Sequence, residues 1–168
     1  MNGGEKTRRV LRTGLALLVL CGVQTLIFPQ ARLWGVCPQV FPLAALVAGM
    51  REGPEFGGWF GMAAGALAAL ITSGVSVLWV PVCTVLGMGA GFLALGGIRQ
   101  NVLGSFFGAA MGLTLLELGQ MSLRRLAGEG PFASLARIAG PELLWSLVWF
   151  PLVYGLFALA LRRKRAPA

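Results

Sequence analysis

Histidine and aspartate are both absent from the chain. Their absence removes most hydrolytic chemistry at once: a serine nucleophile has no imidazole base, an aspartyl pair has neither carboxylate, and the HExxH zinc signature cannot be written. Six glutamates remain, Glu5, Glu52, Glu55, Glu117, Glu129 and Glu142, and all but Glu117 fall near or outside the ends of apolar runs. No two carboxylates are therefore expected to converge on one site, as acid–base catalysis would need. The reading is a protein that is not an enzyme, with no catalytic residue, no metal ligand set and no cofactor.

Charge is scarce too. Charged residues make up 12% of the 168 positions while 57% are hydrophobic, against roughly a quarter charged in soluble domains. Mean hydropathy is +0.78. Cysteine is limited to Cys21, Cys37 and Cys83, too far apart for the paired spacing of metal or redox motifs, so each reads as a small apolar core residue.

What remains is apolar sequence, glycine and basic ends. A bilayer crossing needs about 20 apolar residues as a helix, and six spans can be drawn: 10–28, 38–50, 56–71, 77–96, 102–122 and 141–161. The fold class expected is all-α, one integral membrane domain over residues 1–168 with six transmembrane helices. The second span is the shortest. The uncharged run from Phe56 to Ile98 is too long for one crossing, so Thr72 to Ser76, "TSGVS", reads as a hairpin. "MREGPEFG" makes a similar turn before it, with Pro54 suited to opening the third helix. The basic start followed by apolar Gly14 to Phe28 imitates a secretory signal, but "IFPQA" lacks the small pair of a cut site, so an uncleaved first span is expected.

The net charge of +8 comes largely from two clusters, Lys6/Arg8/Arg9/Arg12 and Arg162/Arg163/Lys164/Arg165, each abutting an apolar run. Such flanks hold helix ends on the cytoplasmic side and attract anionic lipid. No stacking aromatics accompany them, which argues against nucleic acid as a partner. Six spans with both termini cytoplasmic put ten basic residues inside and four (Arg32, Arg124, Arg125 and Arg137) outside. The longest outer connection, "LRRLAGEGPFASLARIAG", reads either as an interfacial amphipathic piece using Leu126, Phe132, Leu135 and Ile138 or as an ordinary solvated loop.

Glycine carries the strongest pattern. "GPEFGGWFGMAAG" repeats it every fourth residue at Gly53, Gly57, Gly61 and Gly65; Gly104, Gly108 and Gly112 repeat the spacing in span five, and Gly87 and Gly91 stand in span four. Lipid supplies no hydrophobic drive between helices, so small residues that let backbones approach are how they associate. The ladders are read as packing seams within one fold, with homo-oligomerisation as the alternative.

Five other residues are candidate partner contacts. Glu117 is the one acid inside a predicted span; it is either an interfacial carboxylate pairing locally towards Arg124 and Arg125 or a partner or ion-coupling residue. Glu142 follows Pro141 at the predicted start of span six, where helix capping explains both. Pro151 should kink that span, flanked by Trp145 and Trp149, which serve either in packing or as a partner groove.

The stretch "CPQVFPLAALVAGMREGPEFGGWFGMAAGALAAL" resembles the signature region of the bacterial rod shape-determining protein MreD family, and "GPELLWSLVWFPLVYGLFALALRRKR" is similar to that family's closing helix. Order and length fit over nearly the whole chain. Many members end the glycine helix with an outer-face Asp; here Thr72 and Ser73 stand instead, so no role of that carboxylate carries over. The resemblance implies a non-catalytic subunit of the cell elongation machinery in the bacterial inner membrane. Its implied partners are the bitopic protein MreC, MreB and the peptidoglycan synthases. It also implies a six-helix fold like the substrate-binding subunits of energy-coupling-factor vitamin transporters, and that kinship supplies the alternative function. A vitamin-capturing subunit would need polar and aromatic groups converging beneath the outer surface, and the outer span ends read as sparsely polar.

Overall fold

The structure is a computed structural model that describes residues 3–26, 37–71, 78–97, 101–128 and 131–160. Every regular element among them is an α-helix: α1 (Gly3–Leu26), α2 (Val40–Glu52), α3 (Pro54–Ile71), α4 (Trp79–Leu95), α5 (Val102–Leu126), α6 (Phe132–Val148) and α7 (Phe150–Ala160). The Thr72–Ser76 segment and the Arg162–Arg165 cluster lie outside the described residues.

The centre of the molecule is α2. Its first eleven residues carry no polar side chain, and a helix apolar on every side belongs in an interior; all of them, Val40 to Met50, are buried. At 1.5 Å per residue α2 is only about 20 Å long, and α1, α3, α4, α5 and α7 all pack around it. Shortness is tolerated because α2 meets neighbouring helices on all sides.

Gly53 ends α2. It takes φ +96°, a conformation glycine adopts without the steric cost of a Cβ, and its N–H donates to the Gly49 carbonyl at 2.9 Å. Pro54 then opens α3, where its missing N–H is one the helix start would not use. Gly53 thus belongs to the turn and does not share the helical face of Gly57, Gly61 and Gly65.

Contacts fix the relative directions. Along α3 and α4, Gly57 meets Gly87, Gly61 meets Cys83 and Gly65 meets Trp79, so the two helices are antiparallel. Gly108 and Gly112 of α5 meet Met50 and Leu46 of α2 in reversed order, an antiparallel pair again. At the other ends of α2, Gln39 bonds Ser146 of α6, while the Arg51 guanidinium lies 5.1 Å from the Tyr154 ring of α7. The rod made by α6 and α7 therefore runs parallel to α2.

α6 begins nine residues before the predicted start of the sixth span, at Phe132. The solvated-loop reading of the preceding connection is corrected accordingly: Leu135 and Ala139 are buried against Met121 of α5, whereas Phe132, Ile138 and Leu126 are exposed. Pro141 stands inside this helix and not at its first turn, so helix-start capping does not account for Pro141 and Glu142.

The rod bends by 41° between α6 and α7. Pro151 has no N–H for the Leu147 carbonyl; the chain tightens as Trp149 N–H donates to the Ser146 carbonyl at 3.2 Å, then resumes with Val153 N–H on the Trp149 carbonyl at 3.1 Å. Phe157 of α7 locks the rod onto α3, edge to face with Phe60 at 5.1 Å, and Phe150 does the same with Phe106 of α5 at 5.3 Å.

Among the described residues one helix, α5, is by itself long and apolar enough to cross a membrane, and α6 with α7 makes a second if the bent pair counts as one span. Apolar side chains cover much of the outer surface, including Leu11, Leu15, Trp59, Leu70, Val85, Phe107 and Leu115.

Candidate functional site

Two features stand out from general packing, a glycine junction and a buried polar cluster, and both involve α2.

The junction joins three backbones. The Gly87 carbonyl of α4 faces both Gly49 of α2 and Gly57 of α3 so closely that a Cβ on either glycine would overlap it, and a Cβ on Gly87 would strike the Gly57 carbonyl. The seam continues in both directions: a Cβ on Gly61 would strike the Cys83 carbonyl, one on Gly65 the Trp79 carbonyl, and one on Gly91 the backbone of Pro54. These obstacles are backbone atoms of packed helices, which cannot rotate away.

The α5 glycines behave differently. A Cβ on Gly108 would meet the Met50 thioether end and one on Gly112 the Leu46 methyls, both flexible side-chain tips. Gly104 is half-buried and donates its N–H to Asn101 Oδ1 at 2.8 Å, a side-chain cap for the start of α5. Two different packings therefore underlie one sequence pattern.

The polar cluster lies at the opposite end of α2 from Arg51. Gln39 Nε2 donates to Glu117 Oε1 of α5 at 3.0 Å and to Glu142 Oε1 of α6 at 2.7 Å. The Gln39 backbone N–H donates to Ser146 Oγ at 2.8 Å, and that hydroxyl donates in turn to the Glu142 carbonyl at 2.7 Å. Glu117 is 7% exposed, Gln39 9% and Ser146 1%. Burying such groups is costly unless they are hydrogen-bonded, and one glutamine here ties three helices together.

This arrangement corrects the expectation that no two carboxylates converge. Glu117 turns to Gln39 and Glu142 rather than along its own helix to Arg125, although the Arg124 charge is near enough to act on both carboxylates. Glu142, Trp145, Ser146 and Trp149 fall at the three- and four-residue intervals that share one helix face. The two indoles pack edge to face at 6.1 Å, while Pro151 is exposed beyond them.

Gln39, Ser146 and Gly49 were not singled out from the sequence. Gln39 was the available signal, a polar residue at the mouth of an apolar run, and Gly49 continues the four-residue glycine spacing backwards across the turn. Among the described residues no group of three His, Cys, Asp or Glu side chains could hold a metal ion, and Cys21, Cys37 and Cys83 are free. No protein-family model, curated protein or solved structure matches the chain.

Proposed function

We propose that the chain is a polytopic protein of the bacterial cytoplasmic membrane with six crossings, both termini cytoplasmic, acting as a non-catalytic scaffold of the MreD type in the cell elongation complex. The observation that carries this reading is the region of resemblance itself. Its proline-led helix is α2, buried from Val40 to Met50, and its glycine ladder is in backbone contact with α4. That design suits a rigid body whose outer apolar surface is left for lipid and partner helices.

The helix directions support the same reading. Taking α6 and α7 as one bent rod, α2 to α7 alternate in direction as successive crossings should. Exposed leucines, valines and phenylalanines around the bundle suit a lipid environment. The scaffold would engage a bitopic MreC-like protein and, through it, MreB-linked machinery and peptidoglycan synthases, with no cofactor.

The convergence of Gln39, Glu117, Glu142 and Ser146 beside an indole pair favours a second reading, a substrate-binding subunit of an energy-coupling-factor transporter. Affinity isolation from native membranes separates the two. Recovery of a bitopic protein with a large outer domain is expected; recovery of an ATPase module in its place would replace the first reading with the second.

A further inference from the structure

We propose that Glu117, Glu142 and the Gln39 side-chain carbonyl form a binding site for a small organic ammonium ion. Both carboxylates bond one nitrogen, Gln39 Nε2, so their bonded oxygens are no farther apart than those two bonds laid end to end. An ionised carboxylate only accepts hydrogen bonds, so with both glutamates charged the amide turns Nε2 towards them. Gln39 Oε1 is then left buried with no hydrogen-bond donor among the described residues.

The geometry of a primary amide leaves that orphan oxygen on the side of one of the two carboxylates. One N–H of a planar amide is cis to its own carbonyl, so the carboxylate bonded to that hydrogen lies on the same side as Oε1. A buried acceptor without a donor is costly, and here it stands beside acidic oxygens that are themselves acceptors. The unmet requirement is for a cation that also donates several hydrogen bonds. A primary ammonium has three N–H donors, matching Glu117, Glu142 and Oε1.

The neighbouring wall fits the same ligand. Trp145 shares the α6 face of Glu142 and Ser146, and an indole face turned to the bound cation would add cation–π attraction. Enclosure by three helices of one chain, with Gln39 and Glu117 nine-tenths buried, suits a small free amine better than a side chain reaching in from another protein. The site is independent of the scaffold reading, which stands or falls with the partner recovered from membranes.

The test is the thermal midpoint of the full-length purified chain in lipid nanodiscs, titrated with methylammonium, tetramethylammonium or sodium chloride at matched ionic strength. Methylammonium should raise the midpoint saturably, on the order of 5–10 °C at a hundredfold excess over half-saturation. Tetramethylammonium lacks N–H donors and sodium lacks both donors and an apolar group, so neither should do so. Glu117→Gln and Glu142→Gln should each raise the half-saturating concentration at least about tenfold, the loss of one charge-assisted hydrogen bond. Equal responses to the three salts, or none to methylammonium, would overturn the proposal. The comparison of salts on the unaltered protein decides the matter even if a variant fails to fold.

Discussion

Replacing Gly87 by alanine tests the three-helix junction with the smallest possible change. The added methyl would occupy the space of the Gly57 carbonyl on α3 and come within 3.4 Å of the Ala45 carbonyl on α2. Neither obstacle can rotate, so α4 must move off by about 1 Å, a gap that forfeits a quarter to a half of each affected contact energy. Overpacking of this kind costs about 1–3 kcal/mol. Part is recovered because alanine is a better helix former than glycine, by up to about 1 kcal/mol. Gly89 supplies the control: it lies on the same helix two residues away, with nothing within 4 Å of its would-be Cβ. Gly89→Ala should therefore be neutral or slightly stabilising. At about 2–4 °C per kcal/mol for a chain of this size, the variants should differ in melting temperature by roughly 2–12 °C in detergent. Equal stability of the two, or a larger loss at Gly89, would refute the assignment of Gly87 to a backbone junction.

Gly112→Ala should cost less than Gly87→Ala, about 1 kcal/mol, because Leu46 can change rotamer to admit the methyl; the same melting assay ranks them. Ser146→Ala removes the acceptor of the buried Gln39 N–H and should cost about 1–3 kcal/mol, read as a lower denaturation midpoint, whereas Ser122→Ala on the exposed face of α5 should change nothing measurable. Pro151→Ala restores the N–H that the Leu147 carbonyl lacks. Spin labels near the ends of the rod should then report a longer distance than the 41° bend allows, and an unchanged distance would place the cause of the bend elsewhere.

The all-helical class was legible because apolar runs without strand alternation leave helices as the natural element, and the turn before α3 carries its own signals at Gly53 and Pro54. The extent of α6 was not. Arg137 interrupts its apolar stripe and Pro141 imitates a helix start, yet packing of Leu135 and Ala139 on Met121 carries the helix through both. The glycine spacing read alike in α3 and α5, and only the partners distinguish rigid backbone from yielding side chain. The polar cluster was the least legible feature. Gln39, Glu117 and Glu142 are separated by 78 and 103 residues, and no local pattern marks a contact made by helix packing. Glu142 had a local explanation as a cap and Glu117 one as an interfacial acid, while Gln39 drew no reading at all.

The proposed topology has six rods crossing a membrane with both termini cytoplasmic. Dual topology reporters fused after Gly128, in the turn following α5, and after Ala168 read out this arrangement. An external signal at Gly128 and a cytoplasmic one at Ala168 are expected, from protein that resists alkaline extraction of membranes. Reporters on the same side of the membrane, or a chain released by alkaline extraction, would contradict it.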